Sequence, residues 1–125
     1  MLALVVDDSR AMRMILRRIL SDNGYTVLEA GDGQQALDLL AGGARPDVAL
    51  VDWNMPVLDG LGFISACRRN RDYRGITLMM VTTESEQSQI VRALAAGAHE
   101  YVIKPFTAEA IVEKLELLGL AGVAA

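Results

Sequence analysis

Five short apolar runs alternate with longer segments of helical character, and this alternation constrains the fold more than any other feature of the chain. The runs cover residues 3–6, 26–28, 48–51, 78–81 and 101–103. Short, continuously apolar runs are typical of strands buried on both faces, as in a parallel sheet covered by its crossover helices. Because right-handed crossovers place helices on both sides of such a sheet, we predict a doubly wound α/β fold with five parallel strands.

The segments between the runs predict helices. The first has one apolar face, made of Met12, Ile15, Leu16, Ile19 and Leu20. Ser9 precedes it as a candidate N-cap, and Gly24 can end it. A second face carries Arg10, Arg13 and Arg17, which we interpret first as a solvated face. Further helices are predicted at residues 33–41, 61–70, 86–96 and 108–118, the last capped by Thr107.

Length and composition indicate one domain. The chain has 125 residues, of which 52% are hydrophobic, enough for a single core at about residues 3–118 with a flexible tail at 119–125. No apolar stretch reaches the ~18 residues that a spanning helix needs, so we expect neither a membrane anchor nor a secretory signal. A lone cysteine, Cys67, fits a cytoplasmic setting. The net charge of −4 argues against a nucleic-acid surface.

Polar side chains follow the apolar runs directly. They are Asp7 and Asp8, Asp52, Thr82 with Thr83, and Lys104. In an open parallel sheet the residues after the strands line the ligand crevice, so we expect these side chains to meet there. Three carboxylates at one edge repel each other unless a cation lies among them. An oxygen-only set favours Mg²⁺, and the absence of nearby His or Cys disfavours zinc.

Lys104 and Asp52 suggest a reaction. Pro105 restricts the backbone of Lys104, so its ammonium should act as a fixed positive charge. A carboxylate between a divalent ion and an ammonium can act as a nucleophile toward phosphorus, and Thr82 could hydrogen-bond a phosphoryl oxygen. The residues therefore predict phosphoryl transfer to Asp52.

Several motifs together resemble a known family. They are Asp7-Asp8-Ser9, the stretch from Val51 to Pro56 followed by Asp59-Gly60, Thr82-Thr83-Glu84, Ala96-Gly97-Ala98, and Tyr101 leading to Lys104-Pro105-Phe106. The pattern, over about residues 3–118, resembles a response-regulator receiver domain, closest to the CheY-type chemotaxis regulators. The resemblance implies a flavodoxin-like fold with strand order 2-1-3-4-5 and five helices. It also implies Mg²⁺ as cofactor and a CheA-like histidine kinase as phosphodonor.

The resemblance assigns roles around the acceptor. It implies that Asp52 is the phosphoacceptor and that Asp8, Asp52 and the backbone carbonyl of Asn54 bind Mg²⁺ directly, while Asp7 acts through metal-bound water. It further implies that Asn54 and Glu84 tune the lifetime of the phosphoaspartate, which we expect to be short. We accordingly expect self-phosphotransfer and autodephosphorylation rather than the activity of a conventional enzyme.

The same resemblance assigns the switch. It implies that Thr82 and Lys104 hold the phosphoryl group and that Tyr101 turns inward when Thr82 moves. Thr83 is bulkier than the residue common beside this threonine, so its bulk is expected to restrict Tyr101. We also expect Trp53, next to the acceptor, to be partly exposed.

The resemblance also suggests partners. The family docks its kinase beside the first helix, where the arginine face lies. An effector surface would include the fourth helix, fifth strand and fifth helix, with Gln87, Tyr101 and Lys114 as candidates, and the flagellar motor switch is the partner that the resemblance suggests. A phosphorelay intermediate or phosphate sink without a motor target would have the same site. A longer, multidomain regulator also stays open.

Two enzyme classes on related folds fit poorly. An FMN carrier needs a phosphate-binding loop after the first strand, where Asp7 and Asp8 would repel a phosphate. A haloacid-dehalogenase-type phosphatase places its nucleophile there in an Asp-x-Asp arrangement, which Asp7-Asp8-Ser9 does not supply.

Overall fold

The computed structural model describes residues 1–120, in which strands and α-helices alternate as predicted. In chain order the elements are β1 (Leu2–Val6), α1 (Arg10–Asp22), β2 (Thr26–Ala30), α2 (Gly33–Ala41), β3 (Val48–Val51), α3 (Gly60–Arg69), β4 (Thr77–Thr82), α4 (Gln87–Ala96), β5 (Glu100–Ile103) and α5 (Ala108–Leu117). A single 3-10 turn, Arg71–Tyr73, lies between α3 and β4 and was not predicted. The predicted element bounds differ from these by two residues or fewer.

The strands form one parallel sheet in the order β2-β1-β3-β4-β5. This confirms the predicted strand order. The chain runs outward from β1 to one edge and then back across the sheet, so the order reverses beside β1. Parallel sheets of this kind hold ligands at the carboxyl ends of their strands near that reversal.

Alternate strand residues face two separate core layers. In β1, Leu4 and Val6 pack toward α2, α3 and α4, whereas Ala3 and Val5 pack toward α1 and α5. Because both faces are covered, the central strands are apolar throughout, which is the pattern that made them recognisable in the sequence. Cys67 is buried in α3, as helix packing requires, and burial raises the pKa of its thiol to about 11.

Helix α1 begins and ends where its signals predicted. The Ser9 side chain accepts a hydrogen bond from the Met12 backbone N–H at 3.2 Å, and Gly24 follows the helix with φ of +86°. One member of the predicted apolar face is wrong, because Ile15 is 49% exposed while Leu16 is buried. Successive residues on a helix are about 100° apart, so the stripe that fits against the sheet leaves Ile15 outside it.

Gly60 brings the start of α3 against the end of β3. A Cβ atom at this position would lie 2.1 Å from the Asp52 carbonyl oxygen, and the Gly60 N–H donates to the Trp53 carbonyl at 2.9 Å. Only glycine permits this close approach of two backbones. The helix begins at Gly60 rather than at residue 61, because the Asp59 side chain accepts from the Gly62 N–H as its cap.

Trp53 contradicts its predicted exposure, since only 6% of it is accessible. The Arg92 guanidinium from α4 lies over its ring, 5.8 Å from the ring centroid. The adjacent helix therefore covers a side chain that sequence position alone placed at the surface.

The chain beyond α5 is described as far as Leu120. Leu120 packs on the α1–α5 core layer, and its carbonyl accepts a hydrogen bond from the Tyr25 hydroxyl. Residues 121–125, the rest of the expected flexible tail, lie outside the described residues. None of the helices within residues 1–120 has the length and apolarity needed to cross a bilayer.

Candidate functional site

The ends of β1 and β3 bring two of the predicted carboxylates together. Val6 and Val51 are partners in the parallel pairing of these strands, so the next residues, Asp7 and Asp52, emerge side by side. The Asp52 N–H donates to the Val6 carbonyl at 2.9 Å, which extends the ladder into the site. Local strand pairing alone therefore fixes the spacing of this pair.

Lys104 reaches the pair from two strands away. Its N–H donates to the Thr82 carbonyl at 2.8 Å, and its ammonium Nζ lies 2.9 Å from Asp7 Oδ2 and 3.6 Å from Asp52 Oδ2. The lysine side chain is only 12% exposed, so both ion pairs are shielded from water. The structure thus brings together the lysine and both carboxylates that the sequence predicted.

Asp7 is almost fully buried and its carboxylate is already occupied by protein donors. Oδ1 accepts from the Ser9 N–H at 2.9 Å, and Oδ2 accepts from Lys104 at 2.9 Å. Its backbone N–H donates to the Ala30 carbonyl at 3.1 Å. With both oxygens engaged, Asp7 is held in one orientation.

Asp52 is buried but less completely engaged. The Trp53 N–H donates to its Oδ1 at 2.8 Å. Burial raises the pKa of Asp52, and the negative charge of Asp7 adds to this, while Lys104 and the Thr82 hydroxyl act in the opposite direction. The ionised form of Asp52 is therefore disfavoured by its surroundings, and an added positive charge nearby would stabilise it.

Asp8 supplies the third carboxylate. It is exposed, and one oxygen from each of Asp7, Asp8 and Asp52 lies within 4.8 Å of the others. A cluster of three carboxylate oxygens can hold a hard divalent cation, and Mg²⁺ needs only a few protein ligands of this type. The donor set therefore fits Mg²⁺.

Glu84 contacts the two residues predicted to form the switch and the other residue predicted to tune the phosphoryl lifetime. Its N–H donates to Thr82 Oγ1 at 3.3 Å, its carboxylate accepts from the Asn54 amide at 2.6 Å, and its backbone carbonyl accepts from the Tyr101 hydroxyl at 2.6 Å. The sequence predicted roles for all four residues, but not that one of them contacts the other three. Thr82 itself is fully buried.

Tyr101 lies inward, with 9% of its surface exposed, and burial raises the pKa of its hydroxyl. Thr83 is exposed, and Tyr101 is buried in its presence, so the bulk of Thr83 does not keep Tyr101 outside in this structure. Of the other two candidate effector residues, Gln87 is exposed, and Lys114 Nζ lies 3.1 Å from Glu100 Oε1.

Arg13 contacts Asp7 of the acidic site, and Glu29 is linked to the site through Arg13; neither contact was predicted. Arg13 donates to the Asp7 backbone carbonyl at 2.6 Å and to Glu29 at 3.1 Å, and Arg17 donates to the other Glu29 oxygen at 2.6 Å. The sequence feature that could have indicated this contact is Glu29, a carboxylate that directly follows the predicted strand run at residues 26–28 and to which no partner was assigned.

The sequence profile of the family described as "Response regulator receiver domain" matches residues 3–116. Over 116 residues the chain is 41% identical to chemotaxis protein CheY1 of Helicobacter pylori, which covers 92% of this chain and 94% of that protein. It is also 41% identical over 114 residues to chemotaxis protein CheY of Pseudomonas aeruginosa, covering 90% of this chain and 91% of that protein.

Solved structures give the same result. The chemotaxis response regulator CheY4 of Vibrio cholerae superposes with a TM-score of 0.86 at 37% identity, covering 94% of this chain and 97% of the other. A putative response regulator from Chloroflexus aurantiacus superposes with a TM-score of 0.87 at 26% identity, covering 94% and 95%.

Proposed function

The chain belongs to the receiver-domain family of two-component response regulators. We propose that Asp52 accepts a phosphoryl group from the phosphohistidine of a sensor histidine kinase. We propose Mg²⁺ as the cofactor, bound at the carboxylates of Asp7, Asp8 and Asp52. The phosphorylated form then signals through a change of the α4-β5-α5 surface.

The observation that carries the proposal is the position of Asp52 between one ammonium and two further carboxylates. Lys104 Nζ lies 3.6 Å from Asp52 Oδ2, and oxygens of Asp7 and Asp8 lie within 4.8 Å. Phosphoryl transfer depends mainly on positioning and on stabilisation of charge on the phosphoryl oxygens. A fixed cation beside a nucleophilic carboxylate provides both.

The occupancy of the carboxylates supports the division of metal roles. Both oxygens of Asp7 already accept hydrogen bonds from protein donors, so Asp7 suits contact through a water molecule. Asp8 is exposed, and together with Asp52 and the Asn54 backbone carbonyl it would supply the direct ligands. Mg²⁺ bound there would neutralise part of the charge shared by the carboxylates and the incoming phosphoryl group.

The transfer itself uses residues of this chain in defined roles. A carboxylate oxygen of Asp52 forms a bond to phosphorus while the bond from phosphorus to the donor's imidazole nitrogen breaks, and that nitrogen keeps the electron pair. Lys104 stabilises charge on the phosphoryl oxygens. The Thr82 hydroxyl, which acts to lower the pKa of Asp52, can donate to one of these oxygens.

Asn54 and Glu84 are the residues that we propose to set the lifetime of the phosphoaspartate. Their side chains hydrogen-bond each other at 2.6 Å beside the acceptor. The proposal is that a water molecule which hydrolyses the acyl phosphate approaches past this pair, whose polarity and size would then control its access. We expect a short-lived signal.

The output is proposed from the switch residues and from the relatives. The Tyr101 hydroxyl on β5 donates to the Glu84 carbonyl, and the Glu84 N–H donates to Thr82 Oγ1. A movement of Thr82 would therefore be transmitted to Tyr101 through Glu84. The relatives are named as chemotaxis proteins, which supports chemotaxis as the process. We propose a CheA-like kinase as donor, the flagellar motor switch as target and the cytoplasm as location from the family resemblance alone.

Phosphoryl uptake tests the proposal directly. Labelled acetyl phosphate is supplied with and without Mg²⁺ to wild type, to Asp52→Asn and to Asp38→Asn, an exposed carboxylate on α2 that hydrogen-bonds Gln34. We expect Mg²⁺-dependent labelling of wild type and Asp38→Asn, and none of Asp52→Asn. Equal labelling of Asp52→Asn would refute the assignment of the acceptor.

The effector is tested on the same proteins. Beryllofluoride, a phosphoryl mimic, should increase binding of wild type to motor-switch protein and leave Asp52→Asn unaffected. A wild-type protein that takes up label but binds no motor-switch protein in either state would instead favour a phosphorelay intermediate or phosphate sink.

A further inference from the structure

Arg13 forms a bridge between the strand β2 and the acidic turn after β1. One arm of its guanidinium, Nη1, donates to the Asp7 backbone carbonyl at 2.6 Å, while Nε donates to Glu29 Oε1 at 3.1 Å. Its side chain is 19% exposed. Two fixed partners and this degree of burial distinguish Arg13 from a solvated helix arginine.

The contact with the carbonyl acts on the peptide that joins Asp7 to Asp8. Rotation of that peptide plane would change the direction in which the Asp8 side chain leaves the backbone. Asp8 is exposed, so packing does not fix its direction. The Arg13 contact is thus the restraint that lies nearest to Asp8 on its N-terminal side.

The charge of Arg13 argues that its role is geometric. A positive charge close to a cation site weakens cation binding by Coulomb repulsion. Glu29 accepts from both Arg13 and Arg17, which offsets this charge, and these two hydrogen bonds lower the pKa of Glu29. Because Glu29 offsets its charge, Arg13 would support cation binding by orienting the groups that it contacts rather than through its charge.

We propose that Arg13 is a positioning residue for the metal site: held by Glu29, it orients the Asp7–Asp8 peptide through the Asp7 carbonyl so that Asp8 faces the site. This inference rests on the proposed function, because it assumes that the carboxylates bind Mg²⁺. Groups that orient metal ligands typically alter affinity by about 10-fold or more when removed.

The test is Mg²⁺ binding to the folded protein, measured by titration calorimetry at constant ionic strength. Wild type is compared with Arg13→Gln, Arg13→Lys and the matched control Arg17→Gln. The control removes the same charge and one of the two Glu29 ion pairs but no contact to Asp7. Unfolding midpoints are measured in parallel, because a loss of global stability alone would leave the dissociation constant of the folded protein unchanged.

A geometric role and a charge effect of Arg13 predict opposite changes in Mg²⁺ affinity when Arg13 is replaced. We expect Arg13→Gln to weaken Mg²⁺ binding by about 10-fold, Arg17→Gln to leave it unchanged or slightly tighter, and Arg13→Lys, which can still donate to the Asp7 carbonyl, to lie between Arg13→Gln and wild type. Binding by Arg13→Gln as tight as wild type or tighter would overturn the inference. So would equal weakening by Arg17→Gln, or an Arg13→Lys variant as weak as Arg13→Gln.

Failure of the proposed function is distinguishable from failure of this inference. If wild type itself showed no Mg²⁺ binding, the proposed metal site would be wrong, and the role of Arg13 would fall with it. If wild type bound Mg²⁺ and Arg13→Gln bound it equally well, only the role of Arg13 would be wrong.

Discussion

Two halves of the carboxyl edge of the sheet are held by different kinds of interaction. The acidic half, comprising Asp7, Asp8, Asp52 and Lys104, follows strand ends and is tied by shielded ion pairs. The switch half, comprising Thr82, Glu84 and Tyr101, depends on hydrogen bonds to Glu84.

The helix that follows the switch half shows the same difference. Four helices have a side-chain cap at their start, provided by Ser9, Asp32, Asp59 and Thr107. Helix α4 has Glu86 in that position, without a side-chain cap hydrogen bond. An uncapped helix start has fewer hydrogen bonds to break when it rearranges, so we expect movement in the switch half rather than in the acidic half. Under the proposed function, phosphoryl transfer would use the fixed half and signalling would use the adjustable one.

The strongest effect is predicted for the rate of phosphoryl uptake at the acidic half. Lys104→Met should slow phosphoryl uptake from acetyl phosphate about 100-fold, because it removes the cation proposed to stabilise the phosphoryl oxygens. The same change should tighten Mg²⁺ binding, since a positive charge leaves the site. The control is Lys114→Met, because Lys114 pairs with Glu100 outside the acidic half. Uptake at the wild-type rate in Lys104→Met would remove the contrast between the halves.

A second change separates stability from chemistry. Tyr101→Phe removes the hydroxyl that donates to the Glu84 carbonyl and should lower the free energy of unfolding by about 1 kcal/mol. Denaturant unfolding measures this, with Tyr73→Phe as control because the Tyr73 ring stacks against Arg45 on another part of the surface. Phosphoryl uptake should stay at the wild-type rate. A large loss of uptake would show that the two halves are not separable in this way.

The uncapped start of α4 can be corrected by one substitution. Glu86→Asp keeps the charge but shortens the side chain to one that caps well, and should raise the free energy of unfolding by about 0.5–1 kcal/mol. The matched control is Glu113→Asp, an exposed position inside α5. If the switch half must move, Glu86→Asp should also weaken the beryllofluoride-dependent gain in effector binding. An unchanged gain would mean that the start of α4 does not move.

A weaker effect is predicted for the pH dependence of stability, through Glu29 and the two arginines that pair with it beside the acidic half. Hydrogen bonds from Arg17 and Arg13 hold the pKa of Glu29 below its usual range. Because the folded-state pKa is lower than the unfolded one, this stabilisation is complete above the unfolded value and is lost as pH falls through the folded value.

Glu29→Gln should therefore narrow the difference in unfolding midpoint between neutral and acidic pH. The change should correspond to less than about 1 kcal/mol, because these pairs are partly exposed. The titration of Asp52 is common to both proteins and cancels in the comparison. Glu116→Gln, an exposed residue of α5, is the control. A steeper pH dependence in Glu29→Gln would reverse the assigned sign.

The fold class and the members of the acidic half were predictable from local features of the chain. Alternating strands and helices are a local pattern, and residues that directly follow paired parallel strands must emerge together, as Asp7 and Asp52 do. The caps at Ser9 and Thr107 were readable for the same reason, because a cap acts on its own helix.

The contacts between side chains of different elements could not be predicted from such local features. The burial of Trp53 beneath Arg92, the exposure of Ile15, the contacts of Glu84 and the bridge from Glu29 through Arg13 to the Asp7 carbonyl all depend on how far each helix lies from the sheet. Periodicity gives the face of a helix but not its distance or rotation against a neighbour. Those quantities come from packing of the whole core, and they place the long side chains that connect the two halves to the rest of the protein.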